Sequence, residues 1–140
     1  MNVQRLKQEL LAQKENKLKG NIYHFSQVNF SYNSNRIEGS KLTKEETEQI
    51  FNTSNLIIDN EDTVELIHPF SDGNGRVGRI IMYKECLKNN IIPFIILNEH
   101  KNFYLRGLKE YSKDKLYLID TIKTEQDIYQ KICKELFLIN

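Results

Sequence analysis

The residues best equipped for chemistry lie in one stretch, His68-Pro69-Phe70-Ser71-Asp72-Gly73-Asn74-Gly75-Arg76-Val77-Gly78-Arg79. Glycine admits backbone conformations closed to bulkier residues, so the N–H groups of Asp72-Gly73-Asn74-Gly75 can converge into a nest for an anion. A helix starting next adds its own unpaired N–H groups and the positive end of its dipole. Arg76 and Arg79, three apart on that first turn, can both reach forward to phosphate oxygens. A polyphosphate is the natural guest. Asp72 beside phosphates calls for a divalent cation between them, and a carboxylate with phosphate oxygens is the usual setting of Mg²⁺. His68, whose ordinary pKa is about 6.5, is the residue of the stretch suited to taking a proton at neutral pH and is the candidate general base. Phe70 serves most simply as an apolar anchor. Taken singly, each of these features is common in an ordinary turn. The stretch is not a Walker A loop, because it has no Gly-x-x-x-x-Gly-Lys-(Ser/Thr) and no lysine.

The elements that must position these residues read as helices. Val3, Leu6, Leu10, Leu11 and Leu18 recur at helical spacing over residues 3–19, and Gly20 suits the position just past the helix end. Ile22, Phe25, Val28 or Asn29, and Tyr32 continue the period toward Ser34-Asn35-Arg36-Ile37-Glu38-Gly39, with Gly39 as the stop. Thr43 and Glu46 have the spacing of a capping box, in which hydroxyl and carboxylate each satisfy an open backbone N–H. Residues 52–62, NTSNLIIDNED, are open between strand, helical turn and packed loop. Val77, Ile80, Ile81 and Leu87 predict a helix from about Arg76 to Lys88, with Asn89, Asn90 and Pro93 beyond it. IIPFIIL reads as an extended apolar connector. Asn98 is placed to cap a helix through Phe103, Leu108 and Tyr111, and a last helix spans Leu116 to Phe137. The expected fold is all-α and compact, with the 68–79 loop between two helices.

A chain of 140 residues, 39% hydrophobic and 28% charged, has the size of one domain, here 1–140. A net charge of +1 provides no global field for nucleic acid or an acidic membrane, so any anion site must be local. No apolar run is long enough for a membrane span, and the charged N-terminus lacks the apolar core of a secretion signal. A cytoplasmic protein is expected. Cys86 and Cys133 have no metal-ligand spacing and read as small packed thiols.

At this point the residues stop being generic. His68, Pro69, Phe70, Asp72, Gly73, Asn74, Gly75, Arg76 and Arg79 match His-Pro-Phe-x-(Asp/Glu)-Gly-Asn-Gly-Arg-x-x-Arg at every fixed position, which resembles the signature of Fic-domain proteins. Downstream, IIPFII and FYLRGL continue the resemblance less specifically. Upstream, Ser34, Glu38 and Gly39 resemble the inhibitory motif (Ser/Thr)-x-x-x-Glu-(Gly/Asn), which would put the inhibitory helix at about 22–40 and the C-terminal helices at 98–138.

The resemblance implies transfer of AMP from ATP to a Ser, Thr or Tyr hydroxyl of a target protein. His68 would take the hydroxyl proton, and Asp72 would hold Mg²⁺ against the α- and β-phosphates. Gly73, Asn74 and Gly75 would cradle the anion, while Arg76 and Arg79 hold the outer phosphates. Glu38 would compete for Arg79 and restrain the reaction. ATP and a target protein are the implied partners, with self-association into a homo-oligomer left open. In the family, several helices and a β-hairpin flap that docks the target separate the inhibitory helix from the HPF loop. Here 29 residues, 39–67, do so, and the middle of the domain is expected to be missing. Leu105 also departs from a second tyrosine that many relatives carry near the adenine. These departures leave the alternative of a shortened, catalytically silent nucleotide-binding or regulatory protein.

Overall fold

The computed structural model describes residues 1–16, 20–49 and 74–139. Among them the chain is helical and contains no strand. Helix α1 (Val3–Asn16) buries Val3, Leu6 and Leu10, one stripe at spacings of three and four. Leu11, read from sequence as part of that stripe, is instead exposed. At the far end of α1, Gln13 Oε1 accepts the Tyr23 N–H at 3.0 Å, which ties α1 to the start of the next helix.

Helix α2 (Ile22–Ile37) begins at Asn21, whose side chain accepts the His24 N–H at 2.9 Å. The sequence suggested a single apolar face, whereas α2 buries polar residues in quantity: His24, Ser26, Asn29, Ser31, Asn33 and Ser34. Their partners account for this. Ser26 Oγ lies 2.6 Å from Tyr129 Oη, and the Asn29 and Asn33 amides donate to the carbonyls of Phe25 and Asn29. A central helix with paired polar groups can be covered on several sides at little cost.

The capping box forms as expected: Thr43 Oγ1 accepts the Glu46 N–H at 3.1 Å, and Glu46 accepts the Thr43 N–H at 3.2 Å. Residues 44–49 are helical. The expectations for Leu18 and for residues 52–62 lie outside the described residues, as do His68, Pro69, Phe70, Asp72 and Gly73.

Helix α3 (Asn74–Lys88) starts two residues earlier than the sequence suggested. It ends in a Schellman turn: the Ile91 N–H reaches back to the Cys86 carbonyl at 2.8 Å, and Asn90 takes a left-handed conformation with φ 57°. The face read as buried is partly open, since Val77 and Ile81 are exposed and Arg79 is the buried residue.

The connector behaves as its apolar sequence demands. Its alternate residues serve two cores, Ile95 joining Leu6, Leu10, Ile22, Tyr129 and Cys133, while Phe94 and Ile96 join Ile37, Tyr104 and Leu118. Asn98 does not cap with its side chain, but opens a 3₁₀ turn (Asn98–His100) with its own N–H held by Asn33 Oδ1 at 2.8 Å. Helix α4 (Lys101–Glu110) buries Tyr104 and Gly107, leaving Phe103, Leu108 and Tyr111 exposed, contrary to the sequence reading. Helix α5 (Leu116–Ile139) closes the fold. Tyr129 Oη also meets Tyr83 Oη at 2.7 Å, and burial pushes the Tyr83 phenol up to about 12 and the Cys133 thiol up to about 11. Cys133 is buried and Cys86 half-buried, both as free thiols. Among the described residues no helix is long and apolar enough to cross a membrane.

Candidate active site

The site grows from two helix ends. At the C-terminus of α2 the Gly39 N–H bonds to the Arg36 carbonyl at 3.0 Å, and the Ser40 N–H to the Asn35 carbonyl at 3.0 Å. These are the two bonds of a Schellman motif, and they require a left-handed residue after the cap. Gly39, with φ +98°, supplies it at low steric cost. The consequence is positional. Glu38 is fixed as the C-cap, φ −86° and ψ 7°, and its side chain is directed across to α3.

The N-terminus of α3 receives it. A Cβ placed on Gly75 would overlap Glu38 Oε1, so the carboxylate lies directly over the first turn of α3 and any larger residue there would displace it. That is where unpaired N–H groups and the positive dipole end favour an anion. Asn74 and Gly75 belong to the helix itself, a correction to their reading as loop residues.

Arg79, one turn on, faces the same carboxylate. Its Nη2 donates to Glu38 Oε1 at 2.7 Å and to the Ser34 carbonyl at 3.2 Å, and its Nε donates to Ser34 Oγ at 2.8 Å. The guanidinium also stands 5.8 Å from the centre of the Tyr104 ring. Arg76 turns toward α2 as well, with Nη1 3.4 Å from Asn35 Oδ1. Its Nε is buried with no partner among the described residues.

Ser34, Glu38, Gly39, Gly75, Arg76 and Arg79 are thus brought together from two segments separated by 35 residues, 40–74. Asn35 and Tyr104 join them, and the sequence reading assigned neither a role. Asn35 adjoins Ser34 within the upstream motif and Tyr104 lies within FYLRGL, so the signal available was proximity alone. The expected roles of His68, Asp72 and Gly73 fall outside the described residues.

The donor set suits an anion. Arg79 and the start of α3 hold a carboxylate between them, and a phosphate group has the charge and oxygens to take the same contacts. Among the described residues no group of three or more His, Cys, Asp or Glu could hold a metal ion.

The fold and this paired cluster define a helical domain in which one helix end plugs the start of another. The Fic/DOC family model matches residues 3–86, and the chain belongs to that family. Among curated relatives, a protein of Aquifex aeolicus named "probable protein adenylyltransferase" is 33% identical over 64 residues, covering 46% of this chain and 19% of the relative. The proteins named "protein adenylyltransferase Fic" in Aedes aegypti and Culex quinquefasciatus are each 31% identical over 75 residues, covering 50% of this chain and 15% of theirs. The chain therefore spans less than one fifth of the length of these relatives. No solved structure matches it.

Proposed function

We propose that the chain acts as a Mg²⁺-dependent protein adenylyltransferase, moving AMP from ATP to a hydroxyl side chain of a target protein, with Glu38 holding it at rest. The observation that carries this reading is the Glu38 carboxylate lying over Gly75 and paired with Arg79. A helix start and a buried arginine built for an anion are occupied by one from the chain itself. The names of the relatives supply the reaction class.

In this reading the N-terminus of α3, with Gly73, Asn74 and Gly75, receives the phosphates once Glu38 withdraws. Arg76 and Arg79 then fix the outer phosphates, which orients the α-phosphorus for in-line attack. His68 removes the proton from the incoming hydroxyl. Asp72 is the carboxylate that would hold Mg²⁺, which when bound neutralises charge building on the phosphates. Ser34 and Gly39 keep Glu38 and Arg79 in register. A second reading, a silent nucleotide-binding protein, is favoured by the stretch between Glu38 and His68, whose 29 residues are too few for the helices and flap that the family carries there.

The test is incubation of wild type, Glu38→Gly and Glu38→Gly/His68→Ala with labelled ATP, Mg²⁺ and a cell lysate. Label transferred by Glu38→Gly, weak in wild type and absent from the double variant, is expected. If folded Glu38→Gly binds ATP yet labels no protein, the transferase reading fails and the silent one stands.

A further inference from the structure

The Glu125 side chain is 0% exposed, enclosed where α2, α5 and the connector meet. One of its carboxyl oxygens is spent there. Oε1 lies 2.5 Å from His100 Nδ1 and accepts the Leu97 N–H at 3.4 Å, which pins α5 to the connector and to the 3₁₀ turn. The other, Oε2, is buried with no partner among the described residues. Burying such an oxygen unpaired costs about 1–3 kcal/mol, more when it is charged, and native folds leave few of them so.

Glu125 also lines a cavity of ≈ 20 Å³ between α2 and α5. A single water needs at least about 10–15 Å³ and roughly two to four polar partners. Phe25, Ile95 and Ile128 make most of the wall apolar, and Tyr129 brings a hydroxyl already engaged by Ser26 and Tyr83. Asn29 is different. Its nitrogen donates to the Phe25 carbonyl at 2.9 Å, which leaves its amide oxygen to accept a further bond.

We propose that this cavity is a hydration site, in which one internal water bridges Glu125 Oε2 and the Asn29 amide oxygen and so joins α5 to α2, as Oε1 joins α5 to the connector. The class of ligand follows from the carboxyl. Burial pushes its pKa up while His100 pulls it down, so the site must accommodate the acid and its anion alike. Water serves both, donating to the anion or accepting from the acid. An ammonium or metal ion suits the anion alone, and a metal asks for more oxygen ligands than the cavity offers.

The experiment pairs crystal structures of wild type, Glu125→Gln and Glu125→Met with oxygen-17 relaxation dispersion on the same proteins in solution. The dispersion counts waters held inside the fold and is blind to hydroxyl and carboxyl protons. In wild type a water should lie within about 3.2 Å of Glu125 Oε2 and of the Asn29 side chain. Glu125→Gln keeps a polar atom at the site and should keep the water; Glu125→Met, apolar and of similar length, should hold one water fewer than wild type. A dry Oε2 in the wild-type crystal, or equal water counts in wild type and Glu125→Met, would overturn the proposal. If Glu125→Met fails to fold, Asn29→Leu takes its place: loss of one water supports the bridge, and an unchanged count overturns it. Neither result depends on nucleotide binding or AMP transfer.

Discussion

Arg79 and Glu125 are both buried charges, and they are handled in opposite ways. Arg79 is met by groups from the end of α2 and by an aromatic face, and its charged partner stands on the rim, open to water. The Glu125 side chain is fully enclosed. Its Oε1 lies 2.5 Å from His100 Nδ1 and accepts the Leu97 N–H at 3.4 Å, while its Oε2 has no partner among the described residues. It borders a small cavity lined by Phe25, Asn29, Ile95, Leu97, Ile128, Tyr129 and Ile132. Burial pushes its pKa up in spite of the histidine. A charge with an open side can exchange its partner, whereas an enclosed one can respond only through its proton. The first arrangement suits a ligand site, and the second ties α5 to the connector.

The sharpest way to break this contrast is to remove the buried cation. Arg79→Met should destabilise the fold by about 2–4 kcal/mol, moderated because Glu38 is partly solvated. Urea unfolding measures the effect. A loss below about 1 kcal/mol would mean that the pair is ordinary surface chemistry.

Tyr129→Phe is next in size. It removes the hydroxyl that meets both Ser26 and Tyr83, which keep each other as partners, and should cost about 1 kcal/mol with no change in anion binding. Coupled loss of anion binding would show that the two regions are not separable.

Glu125→Gln tests the enclosed carboxylate through pH. Its pKa in the fold lies above the ordinary 4.5, so the folded chain holds the proton more tightly than the unfolded one. Its contribution to stability is therefore fully present below pH 4.5 and is lost as pH rises through the folded value. The variant lacks that decline, so its Tm relative to wild type should improve from pH 4.5 upward. Parallel Tm curves would contradict the assignment.

Gly39→Ala should likewise cost no more than about 1 kcal/mol, from forcing a side chain into a left-handed conformation. Its informative readout is whether Glu38 loosens, seen as stronger ATP binding despite the weaker fold.

Much of this architecture was legible locally. The Thr43–Glu46 capping box, Gly39 after α2 and Asn90 after α3 are written in neighbouring residues, because caps are satisfied within one turn. The pairing of Glu38 with Arg79 was also expected, though from family resemblance and not from spacing. What escaped depends on distant partners. Ser26 is buried because Tyr129 waits 103 residues away, and Asn98 opens its turn through Asn33. The exposure of Phe103, Leu108 and Ile81 escaped for a related reason: periodicity identifies a helix, but which side is covered depends on what packs there. Tyr104 and Asn35 had no pattern that could link them to an arginine.

In the proposed function the Glu38 carboxylate occupies the seat of a phosphate. Calorimetric titration of ATP into wild type and Glu38→Gly, at equal magnesium and ionic strength, tests it most directly. The account predicts at least about tenfold tighter binding to the variant, the least expected when a charged competitor is removed from a partly buried arginine. Equal affinity in the two proteins, both folded, would contradict the proposed competition between Glu38 and a phosphate.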